Sequence, residues 1–144
     1  MKPLWWQYIK EEIDTQGAHA AISQLPPNIK KTLILDVTYG SDINEPLPVK
    51  CKGGPAITVK DMLIPTYKMV MELRDTAEDN NIPYQLEVTE SGASDSIGIN
   101  RSCRGIPWAF IGVPMKHNHT PLETACMEDV FQTLNLIKAY LLRK

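Results

Sequence analysis

The chain has 144 residues, 43% of them hydrophobic and 22% charged, with a formal net charge of −2. That balance excludes a disordered chain and gives a single domain, residues 1–144, enough apolar mass for a core. It shows no basic stripe or arginine-rich arm of the kind that binds nucleic acid, and no apolar run near the roughly 20 residues that span a membrane.

In chain order, residues 4–9 (LWWQYI) form a short apolar run that predicts a buried strand, followed at once by Glu11 and Glu12. The glutamates interrupt the run, so the N-terminus does not read as a signal peptide. Residues 17–24 predict a short helix ended by Pro26 and Pro27, because proline disfavours helix in the residue before it. Residues 32–37 (TLILDV) are continuous, β-rich and apolar, the pattern of a strand covered on both faces. Residues 41–55 hold Pro46, Pro48, Pro55, Gly53 and Gly54 and predict a loop. A brief strand over 56–59 leads to a helix that Asp61 would cap and that runs to about Asn80, with Tyr67, Val70, Met71 and Ala77 on its apolar face.

Between 84 and 90, Tyr84, Leu86 and Val88 alternate with Gln85, Glu87 and Thr89, which predicts a half-buried strand near a sheet edge. A small polar loop over 91–95 precedes a short helix over 97–104, stopped by Gly105 and Pro107. Residues 108–113 (WAFIGV) predict a second buried strand, and residues 114–121 a loop holding His117 and His119. A final amphipathic helix over 127–142 places Val130, Leu134, Ile137 and Leu141 on one side. The alternation predicts a three-layer α/β sandwich with a mixed, mostly parallel sheet. In such sheets ligands sit beyond the carboxyl ends of the strands. That rule selects Glu11 with Glu12, then Asp36, then the histidines after WAFIGVP.

Those positions carry metal-ligand chemistry. Zinc and cobalt favour imidazole and carboxylate donors. A carboxylate at the end of an apolar strand is costly to bury unpaired, so Asp36 needs a partner: a metal, a loop cap or a salt bridge. Adjacent glutamates can divide labour between binding a metal and moving a proton, or can simply begin a charged helix. A histidine followed by Thr-Pro is held firmly enough for a ligand, though an exposed loop histidine reads the same way. Cys51, Cys103 and Cys126 are odd in number and include no C-x-x-C, which argues against a disulfide framework or zinc finger and for reduced thiols in a cytoplasmic protein.

Six segments occur in one register from about Gln7 onward: EEIDTQGAHAAI, ILDVTYGSD, KGGPAI, DTAEDNNIPYQLEV, SGASDSIGINRSCRGIP and WAFIGVPMKHNHTPLETACMEDV. Together they resemble the C-terminal part of the catalytic domain of the tetrahedral, glutamyl aminopeptidase-like metallopeptidases. The resemblance implies hydrolysis of N-terminal residues from short peptides, two divalent metals (zinc or cobalt), and assembly into homo-oligomeric shells. It implies Glu11 as general base, Glu12 as ligand of one metal, Asp36 as ligand of the other, and His119 as a histidine ligand. Asp95 falls in a loop near the family's substrate site, and His117 is a bystander. The family's remaining histidine ligand and its bridging aspartate lie N-terminal to the glutamate pair. The ten residues before Glu11 contain neither type. The family's E-E-V-G-L-R-G-A also has glycine and arginine where this chain has Asp14 and Gln16. The expectation is therefore part of a metallo-aminopeptidase domain. Two other readings stand beside it: a non-catalytic binding or assembly module, and one half of a split enzyme whose N-terminal half is supplied separately.

Overall fold

β4, Trp108–Lys116, is the strand on which the sheet is built. The computed structural model describes residues 11–42, 47–90, 92 and 94–143. Within them the order is α1 (Gln16–Ile22), β1 (Thr32–Tyr39), β2 (Ala56–Lys60), α2 (Tyr67–Asp79), β3 (Gln85–Val88), α3 (Ser96–Arg101), β4, β5 (Thr124–Ala125) and α4 (Met127–Leu142). The sheet order is β1-β4-β2-β3, with β5 also on β4. β1 runs parallel to β4 from Thr32↔Trp108 to Tyr39↔Met115. β2 is parallel to β3 and antiparallel to β4, as is β5. The expected mixed α/β sheet is present. The expected strand over 4–9 lies outside the described residues.

Alternation along β4 sorts its side chains between two cores. Ala109 and Ile111 join Ile57, Met69, Val70, Leu73, Leu136 and Ile137 beneath α2 and α4. Trp108 and Phe110 join Ile22, Ile34, Ile99 and Ile106 beneath α1 and α3. Helices therefore cover both faces, giving three layers. α1 and α3 approach closely at Gly98, where an added Cβ would lie 2.9 Å from Ala18 Cβ. Among the described residues no helix is long and apolar enough to cross a membrane.

Several local expectations are corrected. TLILDV is not covered on both faces: among the described residues β1 is an edge strand, and Leu35, Val37 and Tyr39 lie exposed along one side of it. Asp61 does not cap α2, which begins at Tyr67 after Thr66. Its carboxylate instead accepts the Leu63 amide at 2.5 Å, an Asx-type turn. The buried stripe of α2 is Met69, Val70, Leu73, Thr76 and Ala77, and Tyr67 is 74% exposed. The stripe of α4 is rotated likewise. Asp129, Thr133, Leu136 and Ile137 face inward, while Leu134 and Leu141 are exposed. Asp129 is the reason, since its buried carboxylate accepts the Lys52 amide at 2.7 Å and the Gly54 amide at 2.8 Å. Satisfying those two donors, of which the Gly54 amide is buried, fixes which side of the helix meets the Gly-Pro turn.

β3 is an edge strand, as its alternation predicts, but its buried residue is Glu87 and not its apolar neighbours. Thr38 Oγ1 donates to Glu87 Oε1, and Thr58 Oγ1 donates to Oε2 at 2.6 Å. These partners come from three strands and meet across β4 because Gly112 leaves room there. An added Cβ at Gly112 would stand 2.7 Å from Thr38 Cβ.

Candidate metal and catalytic site

The chain enters the site through the turn that precedes α1. The Thr15 amide donates to the Glu11 carbonyl at 3.0 Å, and Asp14 and Thr15 both adopt left-handed backbone, with φ of 58° and 47°. This turn places Glu11, partly buried, and Glu12, exposed, beside the edge strand β1. Asp36 does not end β1, as the sequence suggested, because the strand continues to Tyr39. Asp36 sits level with Gly112 of β4, and its Oδ1 accepts the Val37 amide at 2.8 Å. Asp95 is buried at the start of α3. His119 follows β4 in the loop that leads to β5.

These side chains act on one another. His119 Nδ1 lies 3.2 Å from Glu12 Oε2. The His119 ring also faces Tyr39, centroid to centroid 6.2 Å at 54°. Partial burial, then the charges of Asp36, Glu12 and Asp95, push the Glu11 carboxyl up from 4.5 to about 7, with His119 opposing. Burial also raises Asp36. The Val37 amide opposes that shift, Glu12 adds to it, and His119 opposes it. Asp95 is pushed up to about 6 by burial and by Asp36, against His19. Four carboxylates thus share one locality, and the charges opposing them there are His119 and His19, with the Val37 amide also opposing at Asp36. His117 is exposed, and its carbonyl accepts from the Thr120 amide and hydroxyl.

The donor set suits a divalent cation: two carboxylates and an imidazole, in a locality with surplus negative charge. Asp95 Oδ1 is buried with no hydrogen-bond partner among the described residues, and so is Asn118 Oδ1 beside His119. Orphaned acceptors of this kind fit a site that gains a positively charged or donor group. Among the described residues no three His, Cys, Asp or Glu side chains already close on a single point as a metal cage would require. The chemistry of the residues fits a metal, and the set among the described residues is not a closed one.

Sequence reading missed Glu123, whose Oε1 accepts the His119 amide at 2.7 Å. An acidic residue four places after a candidate ligand was the available signal. It also missed β5, which is only two residues long.

The mixed α/β sheet thus carries paired glutamates before α1, an aspartate on β1 and a histidine beyond β4. The chain belongs to the M42 glutamyl aminopeptidase family, whose profile matches residues 4–136. It is 40% identical over 132 residues to a protein of Acetivibrio thermocellus assigned as an aminopeptidase, covering 90% of this chain and 39% of that protein. The aminopeptidase APDkam598 of the archaeon Desulfurococcus kamchatkensis superposes with a TM-score of 0.83 at 29% identity, over 92% of this chain and 39% of that one. The Pyrococcus horikoshii TET1 peptidase, which can assemble into a tetrahedron or a large octahedral shell, shares the fold. Its TM-score is 0.73 at 24% identity, over 92% of this chain and 38% of that one. The chain therefore spans about 39% of the length of such relatives.

Proposed function

We propose that these 144 residues carry the proton-transfer group and part of the metal-ligand set of a metal-dependent aminopeptidase that removes N-terminal residues from short peptides. The observation behind this reading is the gathering of Glu11, Glu12, Asp36, Asp95 and His119, drawn from four separate parts of the sequence, with the Glu11 carboxyl raised to about 7. Glu12, Asp36 and His119 would hold a divalent metal, zinc or cobalt, which supplies Lewis acidity at a peptide carbonyl. Glu11, with a carboxyl at about 7, exchanges protons readily at neutral pH. It accepts the proton of the attacking water and returns it to the leaving amine. Asp95, buried beside Asp36, lines the substrate side.

Family membership supports the peptidase reading over a non-catalytic module. The shells formed by the Pyrococcus horikoshii relative and the exposed apolar edge of β1 support a homo-oligomer or pairing with an N-terminal half. Three free cysteines suit a reducing cytoplasm.

The direct test is a chromogenic aminoacyl-anilide assay with added cobalt. The isolated 144-residue polypeptide is expected to bind cobalt weakly, to lose that binding in His119→Ala, and to give no turnover above background. Robust turnover abolished by Glu11→Gln would show that the ligand set closes without further residues. Unchanged cobalt binding in His119→Ala would remove the ligand assignment.

A further inference from the structure

The backbone at His119 is left-handed, with φ of 62°, and so is that at His117, with φ of 59°. Non-glycine residues stay in that region only where their surroundings hold them there. Two closures hold the loop. At its base β5 rejoins β4 through Lys116↔Thr124 and Met115↔Ala125. Inside it, the Thr120 amide donates to the His117 carbonyl at 3.1 Å, and the Thr120 hydroxyl donates to the same carbonyl at 2.7 Å. Neither closure touches the amide of His119 itself. That amide donates to Glu123 Oε1 at 2.7 Å, from the residue immediately before β5.

We propose that Glu123 is a positioning residue that presents His119 to the site. The inference rests on the ligand reading given under Proposed function. A carboxylate accepting a backbone amide is a charge-assisted hydrogen bond, stronger than a neutral one. The bond to Glu123 fixes the peptide plane that enters His119, and with φ held at 62° by the closed loop the direction of its Cα–Cβ bond is set. The imidazole is then delivered to Glu12 on one side and to the Tyr39 ring on the other. Without the Glu123 acceptor the backbone at 119 relaxes to the right-handed or extended region, and the ring swings away from Glu12 and Asp36.

The test is a cobalt titration of the full 144-residue chain, followed by calorimetry, with a metal-free readout in parallel. Glu123→Ala is expected to weaken cobalt binding about tenfold, the scale of lost outer-sphere support. Glu123→Gln, which keeps an amide oxygen as acceptor, is expected to retain wild-type affinity. In a His119→Ala background Glu123→Ala should have no further effect, because it acts through His119. Hydrogen exchange of the metal-free protein should show the His119 amide protected in the wild type and in Glu123→Gln, and exposed in Glu123→Ala. An equal loss from Glu123→Ala with and without His119 would mark a general structural role and overturn the proposal. So would unchanged affinity in Glu123→Ala while His119→Ala binds weakly. Unchanged cobalt binding in His119→Ala would instead fail the ligand reading itself, and the two failures are thereby told apart.

Discussion

Asp14 occupies left-handed backbone in the turn that delivers Glu11 and Glu12, at the position where the related family motif carries glycine. A side chain there costs on the order of 1 kcal/mol that glycine avoids, although aspartate bears it better than most residues. Asp14→Gly is therefore expected to leave the fold unchanged and to raise stability by up to about 1 kcal/mol, measured by urea denaturation. A second prediction at this scale concerns pH. Glu11 is raised from 4.5 to about 7, so between those values the folded state holds more protons than the unfolded state. Stability must then fall as pH rises through that window, with Asp95, raised to about 6, adding to the same slope. Thermal melts of the metal-free chain should show a lower midpoint at pH 7 than at pH 5, and Glu11→Gln should flatten the difference. Their position past the apolar strands made Glu11, Glu12, Asp36 and the loop histidines legible as candidates, the family resemblance singled out His119, and Glu11, Glu12, Asp36 and His119 share one locality. Glu123 and Asn118 were not legible, because what matters at them is a backbone amide and a buried side-chain oxygen, which no residue pattern encodes.

The order and type of the elements could be read because hydrophobic periodicity and Pro/Gly punctuation are local signals. Their inward faces could not, wherever a polar side chain is the buried one. Asp129 rotates α4 by holding the Lys52 and Gly54 amides, and Glu87 turns the alternation of β3 inside out by accepting from Thr38 and Thr58. Each requires a partner many residues away, which a pattern within one element does not contain. The same contact makes Gly112 sensitive. Its added Cβ would lie 2.7 Å from Thr38 Cβ and 2.8 Å from Thr38 Cγ2, so Gly112→Ala must push β1 away from β4 or break the hydroxyl contact to Glu87. Overpacking of this kind costs about 1–3 kcal/mol, readable as a lowered urea midpoint. Because Asp36 lies level with Gly112, that variant should also weaken cobalt binding.

At the scale of the whole molecule, β1 stands at one end of the sheet among the described residues and carries exposed apolar side chains. Leu35, Val37 and Tyr39 present apolar surface on a strand at the end of the sheet order, a template for pairing with another strand. Sedimentation of the 144-residue chain should show association that grows with concentration, and Val37→Lys should reduce it while leaving the melt nearly unchanged. A steady monomer at high concentration would count against this. The placement of β4 at the centre of the sheet also has a kinetic consequence. β1 and β2 come from the first half of the chain, yet among the described residues β1 pairs only with β4, and β2, although it pairs with β3, joins β1 only through β4, from the second half. Loop closure over such separations is slow. A nascent chain that has emerged only through β3 holds the β2–α2–β3 unit and a solitary β1. It must wait for Trp108–Lys116 before the sheet can close around its newest strand.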